Sequence, residues 1–400
     1  MKKKISFLFL LTCLYLSSWS QKSIKTNGAC TDSVAVQAKG RWMKDPIFDR
    51  GSTNNVETNK RIDAIHNLVL RTYSQPAGVD AAWNRATGVS YFGAKRKYHS
   101  AISGSPTFDY SNLPHFFQYY YNVGLFGYHC EYGKTNSLLP GYPGETGTWL
   151  NIIANTTLDD MAPDDSWTIN GLPVIMHKPP ITTKEGIEFS YPEPGRNVRH
   201  VLIHRKGILP YIPVSRKQYL EYCTIYYSKL YNEIINNYEH MPVRSLEEQE
   251  KEKDAKLAKF EKDFGNDPKR LKSTVDYYLS GFQTDQQRRD EQVTKAKRVR
   301  DNELKKFSDE LEKTLQDGLS ESPAMVLTKY LSNPVFESDP EKGLLLVTEN
   351  PDYIRRDLPK HVPQLFVISL TWDDWKAQIN FAEVFQHNFP FEKLQAMIDQ

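Results

Sequence analysis

Two histidines four residues apart, His200 and His204, form the first pattern in this sequence that could do chemistry. On a helix, this spacing places both imidazoles on one face near one metal ion, and a catalytic zinc needs a third protein ligand as well. The intervening Val-Leu-Ile favours a strand instead. On a strand the two side chains lie roughly 13 Å apart, at about 3.3 Å per residue. We therefore predict no metal site here and expect surface or half-buried histidines.

The sequence offers no clear nucleophile. It has no Gly-x-Ser-x-Gly motif and no glycine-rich loop followed by Lys-Ser or Lys-Thr that would cradle a phosphate. His129 directly precedes Cys130, but a catalytic Cys–His pair requires adjacency in space rather than in sequence. We predict no cofactor and assign no catalytic residue. Whether the protein is an enzyme stays open, with a protein that lacks catalytic activity favoured.

Aromatic residues are the best candidates for contact with a ligand. They are concentrated between residues 79 and 150, and four of them are candidate ligand contacts: Trp83, Tyr119, Tyr121 and Trp149. Exposed rings in an exported protein can stack on sugars or hold a peptide. The favoured alternative is that these rings pack the core, because aromatic side chains supply much of the apolar area of protein interiors.

The N-terminus predicts export. Three lysines at positions 2–4 precede an apolar run over 5–16, and small residues occupy the −3 and −1 positions before Gln21. Because this run is too short to cross a bilayer, residues 1–20 are predicted to be a cleavable signal peptide. Lipidation at Cys13 is the less favoured alternative. We expect a secreted or periplasmic protein with no membrane-spanning segment.

The charge balance excludes some partner classes. The chain has 51 basic and 49 acidic residues, and loss of the three signal-peptide lysines leaves the two signs nearly equal. Such a protein has no global field that would recruit nucleic acid or an anionic membrane surface. The remaining length of about 380 residues suits one large domain or two ordinary ones.

Three cysteines follow the signal peptide: Cys30, Cys130 and Cys223. Export permits disulfides to persist, and an odd number of cysteines leaves one unpaired. We favour a disulfide between Cys30 and Cys130, because Cys30 lies in an otherwise unanchored N-terminal arm. Cys223 is predicted to be a small core residue within a helix. Spacing alone does not settle this connectivity.

The elements that position these residues are of two kinds. An arm with little regular structure over 21–55 leads into a helix over 56–73, where apolar residues recur at helical spacing. Turn-punctuated aromatic and β-branched residues then predict short strands. These strands are expected near 97–103, 115–130, 148–157, 167–177, 186–192 and 198–214. Later strands over 343–347 and 364–370 are expected to join the same sheet, and a helix over 391–398 is expected to close the fold.

A capping box marks the start of a long helix. Ser215 precedes Gln218 by three residues, so each side chain can bond the other residue's backbone amide. About half of the residues between Arg244 and Lys313 are charged with mixed signs, which is typical of solvated helices. We expect residues 215–319 to form a helical hairpin or short bundle, inserted into an α+β domain made by 56–214 and 320–400. The predicted fold class is α+β with a mostly antiparallel sheet.

The segment 209–220, Leu-Pro-Tyr-Ile-Pro-Val-Ser-Arg-Lys-Gln-Tyr-Leu, resembles a strand-to-helix junction of uncharacterised secreted bacterial proteins. Asn350-Pro-Asp-Tyr353, Leu358-Pro359 and Pro363-Gln364 add to this resemblance, which covers mainly 198–235 and 343–398. The resemblance implies export and a single fold. It brings no activity, cofactor or catalytic residue.

These observations predict an exported, non-catalytic binding or scaffold protein of the bacterial cell envelope, with an unidentified ligand. One alternative is a secreted hydrolase of envelope or dietary polymers, with carboxylates assembled from distant loops. Another is a carbohydrate-binding module that uses the aromatic region 83–149. The expected partners are a protein bound through the helical insertion or a glycan bound through the aromatic region, and not nucleic acid.

Overall fold

A computed structural model describes residues 23–44, 55–92, 98–99, 107–108, 115–140, 147–156, 168–169, 172–190, 197–327 and 336–400. The predicted signal peptide, residues 1–20 with Cys13, lies outside these ranges. Within them, no helix is both long enough and apolar enough to cross a membrane.

The described residues form helices and antiparallel sheets, which confirms the predicted α+β class. The helices are α1 (Asp32–Gln37), α2 (Val56–Thr72), α3 (Arg216–Glu239), α4 (Leu246–Phe264), α5 (Pro268–Gly281), α6 (Asp285–Gln316), α7 (Lys376–Asn388) and α8 (Phe391–Gln395). The strands before the helical segment are β1 (Ile24–Lys25), β2 (Trp42–Lys44), β3 (Val79–Ser90), β4 (Tyr98–His99), β5 (Thr107–Phe108), β6 (Phe116–Cys130), β7 (Ser137–Pro140), β8 (Trp149–Ala154), β9 (Thr168–Ile169), β10 (Leu172–His177), β11 (Pro180–Lys184), β12 (Ile187–Ser190), β13 (Val198–Ile203) and β14 (Tyr211–Pro213). The strands after it are β15 (Met325–Val326), β16 (Leu344–Glu349) and β17 (Phe366–Thr371).

The main sheet has ten strands among the residues that the structure describes. Its order is β1-β7-β6-β8-β17-β13-β12-β11. Outside this order, β3 also pairs with β6, and β2 pairs with β3. Of the described strand pairs, β2 with β3 is parallel and the rest are antiparallel. A second sheet has the order β14-β16-β10-β9, with β15 also on β16, and β4 pairs with β5. The late strand β17 joins the main sheet, as the sequence predicts, whereas β16 belongs to the second sheet and not to the same sheet as β17.

The chain divides into two compact units. Among the described residues, those up to 213, those at 325–327 and those at 337–400 belong to the sheet unit, and 214–324 and Phe336 belong to the helical unit. Phe336 was predicted to belong to the α+β domain, but it packs in the helical unit. Its ring lies 5.7 Å from that of Tyr219 and 4.7 Å from the Arg216 guanidinium.

The helical unit consists of antiparallel helix pairs. Along α3 and α6, the ring of Tyr227 stacks on Phe307 at 5.2 Å, and Arg300 donates a hydrogen bond to Asn232. Along α4 and α5, the ring of Phe260 meets Tyr278 edge-on at 5.5 Å. Many of the remaining positions carry charged side chains that face solvent, as mixed-sign helical segments do.

The core of the sheet unit lies between one face of the main sheet and three helices. Apolar residues of α2, α7 and α8 cover this helix-covered face, and the buried residues include Ile65, Tyr121, Ile368, Phe381 and Leu394. The opposite face of the main sheet contacts the second sheet at a smaller core that includes Leu202, Ile175 and Val347. The chain thus builds its largest core on alternate residues of each strand.

Some predicted elements were wrong or missed. Strand β3 was missed because Asp80, Asn84, Arg85 and Gly88 lower its strand propensity, and pairing with β6 along the whole of β3 overrides that preference. Helix α7 was also missed. The region 198–214 is two strands rather than one, separated by a turn that contains Gly207 at a φ of +78°.

Two more expectations need correction. The predicted strand 167–177 is instead the pair β9 and β10. The arm over 21–55 is more regular than expected, since β1 pairs with β7 and β2 pairs with β3. Tertiary pairing supplies these contacts, and local sequence does not reveal them.

Candidate functional site

A row of polar residues crosses the centre of the main sheet. In the strand register, Asn84 lies opposite Asn122, Asn122 opposite Asn151, Asn151 opposite Ser369, and Ser369 opposite His200. Directly opposite residues share a face of the sheet. We call these five residues the polar row. It spans five adjacent strands, or roughly 19 Å at about 4.8 Å per strand spacing.

The polar row lies on the face opposite the helix-covered face. Its neighbours along the strands, such as Tyr121, Ile152 and Ile368, belong to the core beneath the helices. Because successive residues of a strand point to opposite faces, the polar row points away from that core. The amide, hydroxyl and imidazole groups of the polar row therefore lie outside that core.

The polar row has one buried residue, Asn84, and four partly exposed residues. Asn84 is 4% exposed and accepts a hydrogen bond of 2.9 Å from Nδ2 of Asn122. The other four residues have intermediate exposure. Asparagine and serine side chains offer donors and acceptors without a full charge. This combination suits a neutral ligand that carries hydroxyl or amide groups.

Trp149 extends the polar row with an aromatic surface. It lies opposite Gly124, two residues before Asn151, and therefore on the same face as the polar row. A Cβ atom at Gly124 would lie 2.9 Å from the Trp149 ring. The absence of a side chain at Gly124 lets the indole lie close over the strand. Trp149 is partly exposed, so one part of its ring can meet a ligand.

The other three candidate aromatic residues do not share this surface. Tyr119 and Tyr121 are fully buried in the core of the helix-covered face, so they cannot form an exposed binding surface. Trp83 is on the same face as Tyr121, and its ring stacks on His66 with 4.1 Å between centroids. The favoured alternative, in which aromatic rings pack the core, describes these three residues.

A group of buried ionisable side chains lies beside His200, at one end of the polar row. It consists of His177, Glu188, His204 and Tyr211, and we call it the buried cluster. Tyr211 donates a hydrogen bond to the Glu188 carboxylate, with distances of 3.2 and 3.1 Å to its two oxygens. Nε2 of His204 lies 3.6 Å from Glu188 Oε1, and Nε2 of His177 lies 4.0 Å from Oε2.

The environment of the buried cluster fixes part of its protonation. Nδ1 of His204 lies 2.8 and 3.0 Å from the carbonyl oxygens of Arg205 and Ile208. Carbonyl oxygens only accept, so Nδ1 carries a proton and Nε2 faces Glu188. Burial lowers the pKa of His177 to about 4, against the opposing effect of Glu188. Burial and then Glu188 raise the pKa of Tyr211, which keeps its hydroxyl a donor.

The histidine prediction is half right. His200 is partly exposed, as expected, but His204 is only 3% exposed. The turn after β13 folds back over this imidazole and supplies the carbonyl groups that bind it. Among the described residues, no group of three or more His, Cys, Asp or Glu side chains is placed to hold a metal ion.

The remaining residues singled out in the sequence have structural contacts. Cys30 and Cys130 form a disulfide bond. Cys223 is buried in α3, where burial raises the pKa of its thiol to about 12. Ser215 and Gln218 form both hydrogen bonds of the capping box at the start of α3.

The polar row and the buried cluster were missed by sequence reasoning. The polar row joins residues between 84 and 369 in the chain, and it exists only in the observed strand register. Glu188 and His177 carry no local motif that marks them.

Comparison with known proteins gave no matching family model, no matching curated protein and no matching solved structure. The polar row, Trp149 and the buried cluster are therefore the features from which a function can be inferred.

Proposed function

We propose that this protein is an exported, non-catalytic binding protein of the bacterial cell envelope. Its ligand is a neutral glycan chain that lies along the polar row. The observation that carries this proposal is the alignment of Asn84, Asn122, Asn151, Ser369 and His200 across five adjacent strands. An aligned series of amide and hydroxyl groups matches the repeated hydroxyl groups of a sugar chain.

Charge and aromatic contact support a sugar rather than an ionic ligand. The asparagine and serine residues of the polar row are uncharged, and the whole chain has nearly equal numbers of basic and acidic residues. Trp149 adds a partly exposed ring beside Asn151, and aromatic rings pack against the apolar faces of sugars. The length of the polar row suits an oligosaccharide better than a single sugar.

The test is a binding assay with soluble neutral polysaccharides and a glycan array. Asn151→Leu and Trp149→Ala should each weaken binding by roughly 5-fold to 10-fold, as loss of about 1 kcal/mol per contact implies. Asn236→Leu is the matched control, because Asn236 is exposed on α3 in the other unit. The proposal fails if no neutral glycan binds, or if the control variant loses as much affinity as Asn151→Leu.

A hydrolase acting on the same ligand is a second candidate, favoured by the buried cluster beside His200. A carboxylate held by Tyr211 and near two imidazoles is a recognisable acid–base arrangement. In that case the wild-type protein releases new reducing ends from a bound glycan, and Glu188→Gln abolishes the release while binding persists. Binding without release favours the non-catalytic protein.

The envelope scaffold is the outcome favoured if glycans fail to bind. The helical unit exposes several large apolar side chains, among them Ile225 at 62% and Leu246 at 63%. Crosslinking from residues 244–319 in the intact envelope would then identify a protein neighbour.

A further inference from the structure

A pocket of about 330 Å³ lies between α1, the end of β6 and the start of α7. Its lining residues are Asp32, Ala35, Val36, Gly78, Tyr128, His129, Trp375, Lys376 and Ala377. This volume is at the lower end of the range for small-molecule sites, about 300–1,000 Å³. None of these lining residues belongs to the polar row. The pocket is therefore a separate candidate site, and the argument for it does not rest on the proposed glycan binding.

The walls of the pocket are mostly apolar and include an aromatic rim. Ala35, Tyr128 and Ala377 are buried, whereas the Trp375 indole is 53% exposed. Such a partly exposed indole can stack on a flat aromatic ring of a ligand.

Two glycines bring the elements around the pocket into close contact. At Gly78, where φ is +72°, a Cβ atom would lie 2.8 Å from Cβ of Ala377. At Gly127 a Cβ atom would lie 3.1 Å from the Trp375 ring. Larger residues at either position would push α7 away from β6 and change the pocket.

The polar groups of the pocket have opposite charges. Asp32 lies on α1 and Lys376 lies in the first turn of α7, and both are exposed. Among the described residues, neither side chain forms an ion pair. The N-cap residue of α7 is Trp375, whose side chain makes no capping hydrogen bond to the first backbone amides of the helix. A carboxylate near Lys376 would meet both a cation and the positive end of this helix.

We propose that this pocket binds a free aromatic amino acid. The ring would pack against Trp375 and the apolar wall, the ammonium group would pair with Asp32, and the carboxylate would pair with Lys376. A neutral apolar molecule would leave both charges unused, and a simple anion or cation would use one of them. A small zwitterion with an aromatic side chain uses the walls and both charges.

The disulfide holds one wall of this pocket in place. Cys30 precedes Asp32 by two residues, and Cys130 follows His129 directly. The bond therefore fastens the start of α1 to the end of β6 on the side where the ammonium group is placed. The binding geometry depends on this crosslink.

The test is isothermal titration calorimetry of the oxidised protein with L-tryptophan and L-phenylalanine. We expect binding in the millimolar range or tighter, and at least a 10-fold weaker interaction with N-acetyl-L-tryptophanamide, which has the same ring and no charges. Asp32→Asn and Lys376→Met should each weaken tryptophan binding at least 5-fold. Both side chains are exposed, so neither change should disturb folding.

Lys217→Met provides the control, because Lys217 is an exposed lysine in the first turn of another helix, α3. It should leave tryptophan binding unchanged. Absence of binding at millimolar amino acid overturns the proposal. Equal binding of tryptophan and its uncharged derivative also overturns it, since the pocket would then recognise only the ring.

Discussion

Glu188 receives a hydrogen bond from Tyr211 and lies near the imidazoles of His177 and His204. At the scale of single residues, His177 of this buried cluster makes folding stability depend on pH. At a pH below the ordinary histidine pKa, an imidazole that is neutral in the folded protein takes up a proton when the chain unfolds. This proton uptake favours the unfolded state.

We predict that His177 makes folding less stable as pH falls from about 6.5 to about 4. The pKa of His177 is lowered from 6.5 to about 4 by burial, so in this window the unfolded chain binds a proton that the folded protein does not. The stability is complete above pH 6.5, and about 3 kcal/mol is lost once pH is below 4. Urea unfolding at pH 7 and pH 4.5 tests this prediction. Between these two pH values, His177→Gln should lose less free energy of unfolding than the wild type. His361 lies outside the buried cluster, so His361→Gln should lose as much free energy of unfolding as the wild type. If His177→Gln also loses as much as the wild type between pH 7 and pH 4.5, the prediction is wrong.

A second residue-scale prediction concerns Gly40. A Cβ atom there would lie 1.6 Å from the backbone oxygen of Val79, so the chain before β2 would have to move. Gly40→Ala should lower the free energy of unfolding by about 1–3 kcal/mol in urea titrations. Gly281→Ala meets open space at the end of α5 and should be neutral or slightly stabilising. Similar results for the two variants would show that the close contact at Gly40 is not rigid.

At the scale of elements, the boundaries that have a local chemical cause were predictable from sequence. The start of α3 follows from the side chains of Ser215 and Gln218, and the start of α5 follows from Asp267 as N-cap and Pro268 in the first turn. Strand β3 has no such local cause. It exists because β6 pairs with it from Val79 to Ser90.

We predict that Ser215→Ala destabilises the helical unit by about 0.5–2 kcal/mol, since it removes the acceptor for the Gln218 amide. Chemical denaturation followed by circular dichroism measures this change. Ser228→Ala, in the middle of α3, is the matched control and should be neutral or slightly stabilising, because alanine favours helix interiors. Equal effects of the two substitutions would mean that the capping box contributes nothing measurable.

The face of the sheet on which each candidate residue lies could not be predicted from the sequence. Tyr119 and Tyr121 were visible as aromatic residues, but their face was unknown until the register of β6 was known. A shift of one residue would exchange the polar row for the core, because the two faces alternate along each strand. Asn84, Asn151 and His200 meet on one face only after five strands have been aligned.

At the scale of the whole molecule, the disulfide joins positions 100 residues apart in the sheet unit. Closing so long a loop restricts the unfolded chain, and removal of a native disulfide typically costs about 2–5 kcal/mol. The Cys30→Ser/Cys130→Ser variant should lose stability by that amount in urea unfolding. Reductant should destabilise the wild type similarly and should leave the variant unchanged, since Cys223 is buried. If reductant does not affect the wild type, the bond does not contribute to stability.

The position of β17 has a consequence for synthesis. This strand lies near the end of the chain, yet it sits between β8 and β13 in the main sheet. The strands on the β8 side and the strands on the β13 side of the sheet are joined through β17. They can therefore be joined only after residues 366–371 have been synthesised. Until then, the edges of β8 and β13 lack the strand with which they pair in the finished sheet.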